Sequence, residues 1–172
     1  MDRRNVLGLS AIMALGPTLM SRNAVAQQKT LKEQLAGAWT LVSNETFGKD
    51  GTKRQDFGAN PKGILILDAS GRYTAAQMRS DRPKFKTSAN LRLDTPASEY
   101  GEAARAFAVN FGTWSVNEAD KSLMRHYDGA LIPNNEGLDT KVSVSLAGDE
   151  LKLSGNSPLT GERTDAVFKR AK

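Results

Sequence analysis

One short segment of the chain carries the residue types that acid–base chemistry uses. His126 is the only histidine, and Asp128 follows it in a segment, 123–132, that has the alternation of a strand. Because alternate strand residues point to the same face, His126 and Asp128 share a face with Met124. If that face lines a partly dry interior, the carboxylate can orient the imidazole for general acid–base work. The alternative is structural: His126 makes one hydrogen bond and Asp128 begins the turn at Gly129.

A second group of polar side chains lies on the strand predicted over 72–79. Tyr73, Gln77 and Arg79 share one face of that strand. A few oriented polar groups in an apolar wall are typical of a ligand pocket. A guanidinium in such a pocket can hold a carboxylate or a phenolate. Arg79 can equally pair with Asp81 on the outer surface.

These two strand faces predict a ligand site inside a closed sheet. We expect its wall to contain Tyr73, Gln77, Arg79, His126 and Asp128, with Trp114 and Asn134 nearer one mouth. A slip of one residue turns every strand side chain to the other face. In that case the interior is lined instead by Thr74, Ala76, Met78, Arg125 and Tyr127.

Other kinds of chemistry lack their residue patterns. The sequence has no cysteine and one histidine, so we expect no metal site. It contains neither a Gly-x-Ser-x-Gly turn nor a glycine-rich phosphate loop, and we expect no cofactor. The formal net charge is +5, but basic and acidic residues are interspersed rather than clustered. This pattern predicts a solvated surface and no nucleic-acid partner, and it leaves the oligomeric state open.

The elements that must position these residues are mostly short strands. The capping-box spacing of Thr30 and Glu33 predicts a short N-terminal helix. Alternation and turn residues predict nine strands, over 38–47, 52–57, 64–67, 72–79, 111–116, 123–132, 141–146, 151–153 and 164–170. A mid-chain helix is predicted to start at Thr95-Pro96, with an apolar face of Tyr100, Ala103, Ala104, Phe107 and Ala108.

This order of elements predicts an all-β fold. About nine antiparallel strands in sequence order leave two exposed edges unless the sheet closes. We therefore expect a closed antiparallel up-and-down barrel of about 8–10 strands, with the two helices added. A barrel of this size can hold one small ligand, and the alternative is an interior filled with side chains.

The first 26 residues predict export. Arg3 and Arg4 precede an apolar stretch over 6–20 that is too short to span a bilayer comfortably. The small-x-small sequence over 24–26 is a cleavage signal, so the mature domain is predicted to be 27–172. The two arginines and the apolar pair after Asn5 fit a twin-arginine signal, and an ordinary secretory signal is the alternative. We expect a periplasmic or secreted protein with no stable membrane anchor after processing.

Several segments of the mature chain resemble the bacterial lipocalin-like domain family. They are Leu35 to Ser43, Phe57 to Leu65, Gly71 to Tyr73, Met78 to Phe85, Phe111 to Trp114 and His126 to Asn134. The resemblance implies a closed barrel with a central cavity and an association with small hydrophobic ligands. It also implies that Trp39 closes one end of the barrel and that Arg170 of the last strand lies across its ring. The chain departs from the family pattern at Arg125, where histidine is common, and at Asn135, where tryptophan is expected.

Two functions follow as expectations. The first is binding of a small hydrophobic or aromatic molecule in the barrel cavity, by a carrier, scavenger or sensor. The alternative is a barrel enzyme of the isomerase or cyclase type, with His126 as its acid–base group. The polar residues of the cavity discriminate between them, because the enzyme needs His126 and Asp128 to face inward. A packed barrel without a cavity would support neither.

Overall fold

The computed structural model describes residues 29–86 and 94–172. Within them lie helices α1 (Leu31–Leu35) and α2 (Ala97–Arg105) and a 3-10 turn (Pro133–Asn135). The strands are β1 (Gly37–Phe47), β2 (Lys53–Arg54), β3 (Lys62–Leu67), β4 (Arg72–Met78), β5 (Phe107–Asn117), β6 (Ser122–Ala130), β7 (Asp139–Ala147), β8 (Glu150–Asn156) and β9 (Arg163–Arg170). The predicted signal over 1–26, with its arginine pair and cleavage site, lies outside the described residues. No helix in the described ranges is long and apolar enough to cross a membrane.

The strands form a closed antiparallel barrel. From β3 to β9 each strand pairs with the next one along the chain. The ring closes where β9 pairs with β1, with Arg170 opposite Trp39 and Arg163 opposite Phe47. Eight strands make the ring, because the two-residue β2 only extends the far end of β1 beyond its pairing with β3. The predicted closed up-and-down barrel is confirmed.

A β-bulge in β1 changes which of its residues face inward. The register with β9 shifts between Leu41 and Ser43. Before the shift Trp39 and Leu41 are buried, and after it Asn44 and Thr46 are buried. Simple alternation would keep Trp39, Leu41 and Ser43 on one face to the strand end, but the extra residue at the bulge reverses it. The bulge places the Asn44 amide inside the barrel.

Helix α1 closes one end of the barrel. The predicted capping box is present: Thr30 Oγ1 accepts from the Glu33 N–H, and the Glu33 carboxylate accepts from the Thr30 N–H. The helix places Leu35 in the barrel end, where it is fully buried beside Trp39. The Trp39 indole N–H donates to the Leu35 carbonyl oxygen at 2.8 Å. The capped helix is therefore joined directly to the first strand that it covers.

Helix α2 is shorter than predicted at its C-terminal end. It ends at Arg105, and the chain enters β5 at Phe107, which pairs with Met78 of β4. Phe107 and Ala108 were predicted on the helix face but belong to a strand, because their backbones pair with β4 of the sheet. Pro96 precedes the helix as its cap rather than forming its first residue. No residue of α2 is buried, so the helix lies on the surface next to the start of β5.

The apolar core is concentrated near the end that α1 closes. Its fully buried large side chains are Trp39, Leu35, Leu65, Leu67, Leu123 and Leu151. The other end of the barrel is formed by the last residues of β4 and β8 and the first residues of β5, β7 and β9. Its inward residues are smaller or polar, such as Ala75, Asn110 and Thr140. This difference in side-chain volume leaves space in that half of the barrel.

Candidate ligand-binding cavity

A cavity of about 220 Å³ occupies the half of the barrel away from α1. Apolar residues form about half of its wall, among them Leu65, Ala75, Val142, Leu153, Ala166 and Phe168. Polar side chains from six strands also reach it: Asn44, Gln77, Asn110, Arg125, Tyr127, Thr140 and Thr164. Asn135 and the segment 156–158 contribute at the rim. Small-molecule pockets likewise combine apolar surface with oriented polar groups.

Several polar atoms in the barrel interior lack a partner. In the described residues, buried side-chain atoms without a hydrogen bond include Asn44 Oδ1, Asn110 Oδ1, Arg125 Nε and Thr140 Oγ1. All four residues line the cavity. Because an unsatisfied buried polar atom costs about 1–3 kcal/mol, such a cluster is unusual in a finished core. A polar molecule in the cavity could satisfy these atoms.

Gln77 is the predicted site residue that the structure places directly in the cavity. Its Oε1 accepts a hydrogen bond from Asn44 Nδ2 at 3.0 Å. The inward face predicted for β4 is therefore correct for Tyr73, Ala75 and Gln77. Asn44 was not predicted, because only the β1 bulge brings it to this face.

Tyr73 faces the interior but packs in the core next to the cavity. Its ring contacts Tyr127 edge to face, with centroids 6.4 Å apart. Its hydroxyl has no hydrogen-bond partner in the described chain. Burial raises the pKa of Tyr73, because the charged phenolate would lose its hydration there. Tyr73 is therefore a neutral phenol throughout the physiological pH range.

The inward face predicted for β6 is wrong. Arg125 and Tyr127 line the cavity, whereas the side chains of His126 and Asp128 lie outside, 45% and 32% exposed. Leu123 is fully buried and sets this alternation, because its side chain and that of Tyr127 bury more apolar area than Met124 alone. The alternative face, with Arg125 and Tyr127 inward, is therefore the one that the fold selects on β6.

A second bulge accompanies this arrangement. Phe111 pairs with Gly129 but Gly112 pairs with Tyr127, so Asp128 is the extra residue of β6. A Cβ at Gly112 would overlap the His126 carbonyl oxygen, so glycine is required at this close approach.

His126 and Asp128 take part in a surface network. His126 Nδ1 lies 2.9 Å from Asp139 Oδ1, and its Nε2 lies 3.9 Å from Asp128 Oδ1. Asp128 Oδ2 pairs with Arg72 at 2.8 Å. These groups face solvent on the outer wall, so they cannot transfer a proton to a molecule in the cavity. The structural alternative for His126 matches this geometry.

Three other predicted site residues lie away from the cavity. Arg79 follows the end of β4 and pairs with Asp81 at 2.8 Å on the surface, which raises the pKa of the guanidinium. Trp114 is buried near the closed end, where its indole N–H donates to the Asp68 carbonyl at 2.9 Å. Asn134 is exposed in the 3-10 turn, and its neighbour Asn135 lines the cavity instead. None of the three lines this cavity, contrary to the expected placement.

The structure adds residues that sequence reasoning missed. Asn44, Asn110 and Thr140 line the cavity but carried no sequence signal beyond their positions on strands. Arg125 and Asn135 did carry a sequence signal, because they are the two departures from the family pattern. Both line the cavity. No group of three or more His, Asp or Glu residues that could hold a metal occurs in the part of the chain that the structure describes.

A closed eight-strand meander with one plugged end defines a small β-barrel, and this one contains an internal cavity. The lipocalin-like domain family model matches residues 36–169, and the chain belongs to this family. The predicted resemblance is confirmed.

Solved structures of similar architecture include a lipocalin-like protein from Bacteroides uniformis. It is 16% identical, with 80% of this chain and 98% of that chain covered and a TM-score of 0.41. A designed fluorescence-activating β-barrel is 9% identical, with 84% and 100% covered and a TM-score of 0.42. Fatty-acid-binding protein 1 of Echinococcus granulosus is 14% identical, with 81% and 99% covered and a TM-score of 0.39. No curated protein matches the sequence significantly.

Proposed function

We propose that the protein is an exported binding protein that holds a small hydrophobic or aromatic molecule in the barrel cavity, as a carrier, scavenger or sensor. One observation carries the proposal: the cavity combines apolar surface with buried polar atoms that have no partner among the described residues. A space that existed only through imperfect packing would be lined by apolar groups, since unsatisfied polar atoms add a further cost.

The size of the cavity fits a small ligand. An apolar cavity of about 150 Å³ is enough to hold benzene. The space in this barrel is about 220 Å³, which accommodates one ring with a short substituent. Tyr127 and Phe168 offer aromatic surfaces to such a ring, and aromatic pairs gain about 0.5–1.5 kcal/mol beyond area burial.

The residues of the cavity favour binding over the enzymatic alternative. No histidine, aspartate or glutamate is among the described residues that line it. His126 and Asp128, on which acid–base catalysis would depend, are on the outer wall. Fold alone does not imply activity, so the enzyme hypothesis loses its residue-level support.

The experiment is displacement of an environment-sensitive fluorescent probe from the purified mature protein, with native mass spectrometry of protein taken from its own cell envelope. Ala75→Phe fills the cavity from its wall and should abolish probe binding, at a stability cost of about 1–3 kcal/mol. Ala147→Phe, at an exposed end of β7, is the matched control and should bind as the parent does. Equal probe binding by the parent and by folded Ala75→Phe would place the ligand outside the cavity and reject the proposal.

A further inference from the structure

We infer that the ligand of the cavity is a small organic anion, a single-ring aromatic carboxylate, whose acid group binds at Arg125. The inference rests on the proposed function, because it names the class of molecule that the same cavity holds. Arg125 is the one charged side chain among the described residues that line the cavity. Its environment differs from that of most other arginines of the barrel.

Most arginines of the described chain have a carboxylate partner. Arg54, Arg72, Arg79, Arg163 and Arg170 each pair with an aspartate or glutamate, at nitrogen–oxygen distances of 2.7 to 3.7 Å. These five lie at or near the surface. Arg125 makes no ion pair with any described residue, although it is the arginine that reaches into the cavity. Arg125 therefore differs from these five arginines in two ways: it lines the cavity, and it has no carboxylate partner in the described chain.

The immediate neighbours of Arg125 leave its charge uncompensated. Its guanidinium lies 5.8 Å from the centroid of Tyr73 and 5.8 Å from that of Tyr127. Ring faces attract a cation but do not replace hydrogen-bond acceptors, and Arg125 Nε has none. Removing a charge from water is costly unless it is paired and hydrogen-bonded. A carboxylate from outside the protein is the group that meets both needs, and it can accept two parallel N–H bonds from one guanidinium.

A second group supports the assignment of an anion to this position. Thr140 of β7 is the register partner of Arg125, and its buried Oγ1 has no hydrogen-bond partner. A hydroxyl beside a guanidinium can donate to the same carboxylate. The apolar residues Val142 and Phe168 line the same cavity and can surround the uncharged part of the ligand. One guanidinium, one hydroxyl and an apolar wall match a carboxylate attached to a ring.

The size of the cavity narrows the class of ligand further. About 220 Å³ exceeds the space of a bare benzene ring by roughly the volume of a short substituent. An extended long-chain acid would not be enclosed by it. We therefore choose phenylacetate as the probe and phenylacetamide as its neutral counterpart of nearly equal shape.

The experiment is isothermal titration calorimetry of the mature parent protein and three variants against both probes. The parent should bind phenylacetate about 10- to 100-fold more tightly than phenylacetamide, the range expected for a hydrogen-bonded charge pair. Arg125→Met should lose that preference and keep its affinity for the amide, whereas Arg125→Lys should keep part of the preference. Arg79→Met is the matched control, because Arg79 is a surface arginine paired with Asp81, and it should bind both probes as the parent does.

A measurement without ligand accompanies the titration. Removing a partly buried charge that has no carboxylate partner should raise the melting temperature of ligand-free Arg125→Met by about 2 °C or more. If the parent binds the acid and the amide equally, or if folded Arg125→Met keeps the preference for the acid, the inference is overturned and the binding function stands. If the parent binds none of phenylacetate, phenylacetamide and the fluorescent probe, the inference and the proposed binding function are both wrong. The ratio of the parent's affinities for phenylacetate and phenylacetamide tests the inference even if Arg125→Met does not fold.

Discussion

The guanidinium of Arg170 lies over the ring of Trp39, with its central carbon 4.1 Å from the ring centroid. The same guanidinium donates to the carbonyl oxygens of Gln34 at 2.6 Å and Ala36 at 3.3 Å. Arg170 therefore joins the last strand, the first strand and the end of α1. The contact that the family resemblance implies is present, and it closes the end of the barrel opposite the cavity.

Trp39→Ala should destabilise the protein strongly. Trp39 is fully buried, and deleting a buried large aromatic side chain costs about 3–5 kcal/mol. Arg170→Ala should cost less, because a cation–π contact contributes about 0.5–2 kcal/mol and the side chain is partly exposed. Urea unfolding of both single variants and the double variant measures the coupling. Purely additive effects would show that the contact contributes no energy.

Tyr73→Phe should raise stability at neutral pH and flatten its decline at alkaline pH. The Tyr73 hydroxyl is buried without a partner, so its removal should be worth up to about 1 kcal/mol. Because burial raises the pKa of Tyr73, the folded protein retains that proton more tightly than the unfolded chain. The contribution of Tyr73 to the free energy of unfolding is therefore fully present below the ordinary tyrosine pKa of about 10. It decreases as the pH rises above that value. Urea titrations from pH 8 to 11 would contradict this if both proteins lost stability equally.

Gly112→Ala should be among the most damaging small substitutions in the barrel. The Cβ added at position 112 would overlap the His126 carbonyl oxygen at the β6 bulge. The backbones of β5 and β6 would have to separate to make room for it. We expect a loss above about 2 kcal/mol, together with weaker ligand binding, because the bulge orients Tyr127. Gly137→Ala is the control: it has open space and a φ of +76°, so it should cost about 1–2 kcal/mol. Thermal unfolding and probe titration of both variants check this, and equal losses would mean that the close approach is unimportant.

His126→Ala should leave ligand binding within about twofold of the parent. His126 lies on the outer wall with Asp139 and Asp128, and the cavity is reached by the opposite face of β6. Asp128→Asn should behave in the same way, although it weakens the surface pair with Arg72. Exposed pairs of this kind contribute about 0–1 kcal/mol. If His126→Ala lost ligand binding, or lost a turnover that the parent shows, His126 would be a functional residue.

Export should produce a mature chain that begins at Gln27. The prediction rests on the arginine pair at 3 and 4 and on the small-x-small sequence over 24–26. Intact-mass measurement of the periplasmic protein checks the start of the chain. Replacing both arginines by lysine should trap the precursor if the twin-arginine route is used. Unchanged export of that variant would indicate the general route, and a full-length cytoplasmic product would refute export.

The inward face was predicted correctly for Tyr73 and Gln77 of β4, but not for Arg79 beyond its end or for β6. On β4, Tyr73, Ala75 and Gln77 follow simple alternation and face inward. On β6 the two faces each carry polar residues, and Leu123 with Tyr127 was the available sign that the Arg125 face is buried. An inward arginine is rare in a core because its charge must be paired, so general rules assign it to the surface. Arg125 departs from that rule, because the Leu123 and Tyr127 face of β6 turns inward and carries Arg125 with it.

The sequence by itself determined the architecture of this protein. Period-two alternation, turn residues at short spacing and the capping box at Thr30 act locally, so nine strands, two helices and their antiparallel order follow from neighbouring residues. The tertiary structure alone decided which residues line the candidate site. Bulges in β1 and at Asp128, and the competition between the two faces of β6, depend on which strands pair and how much apolar area each choice buries. They brought Asn44, Arg125 and Thr140 together from separate strands, a relation set by closure of the barrel rather than by any spacing along the chain.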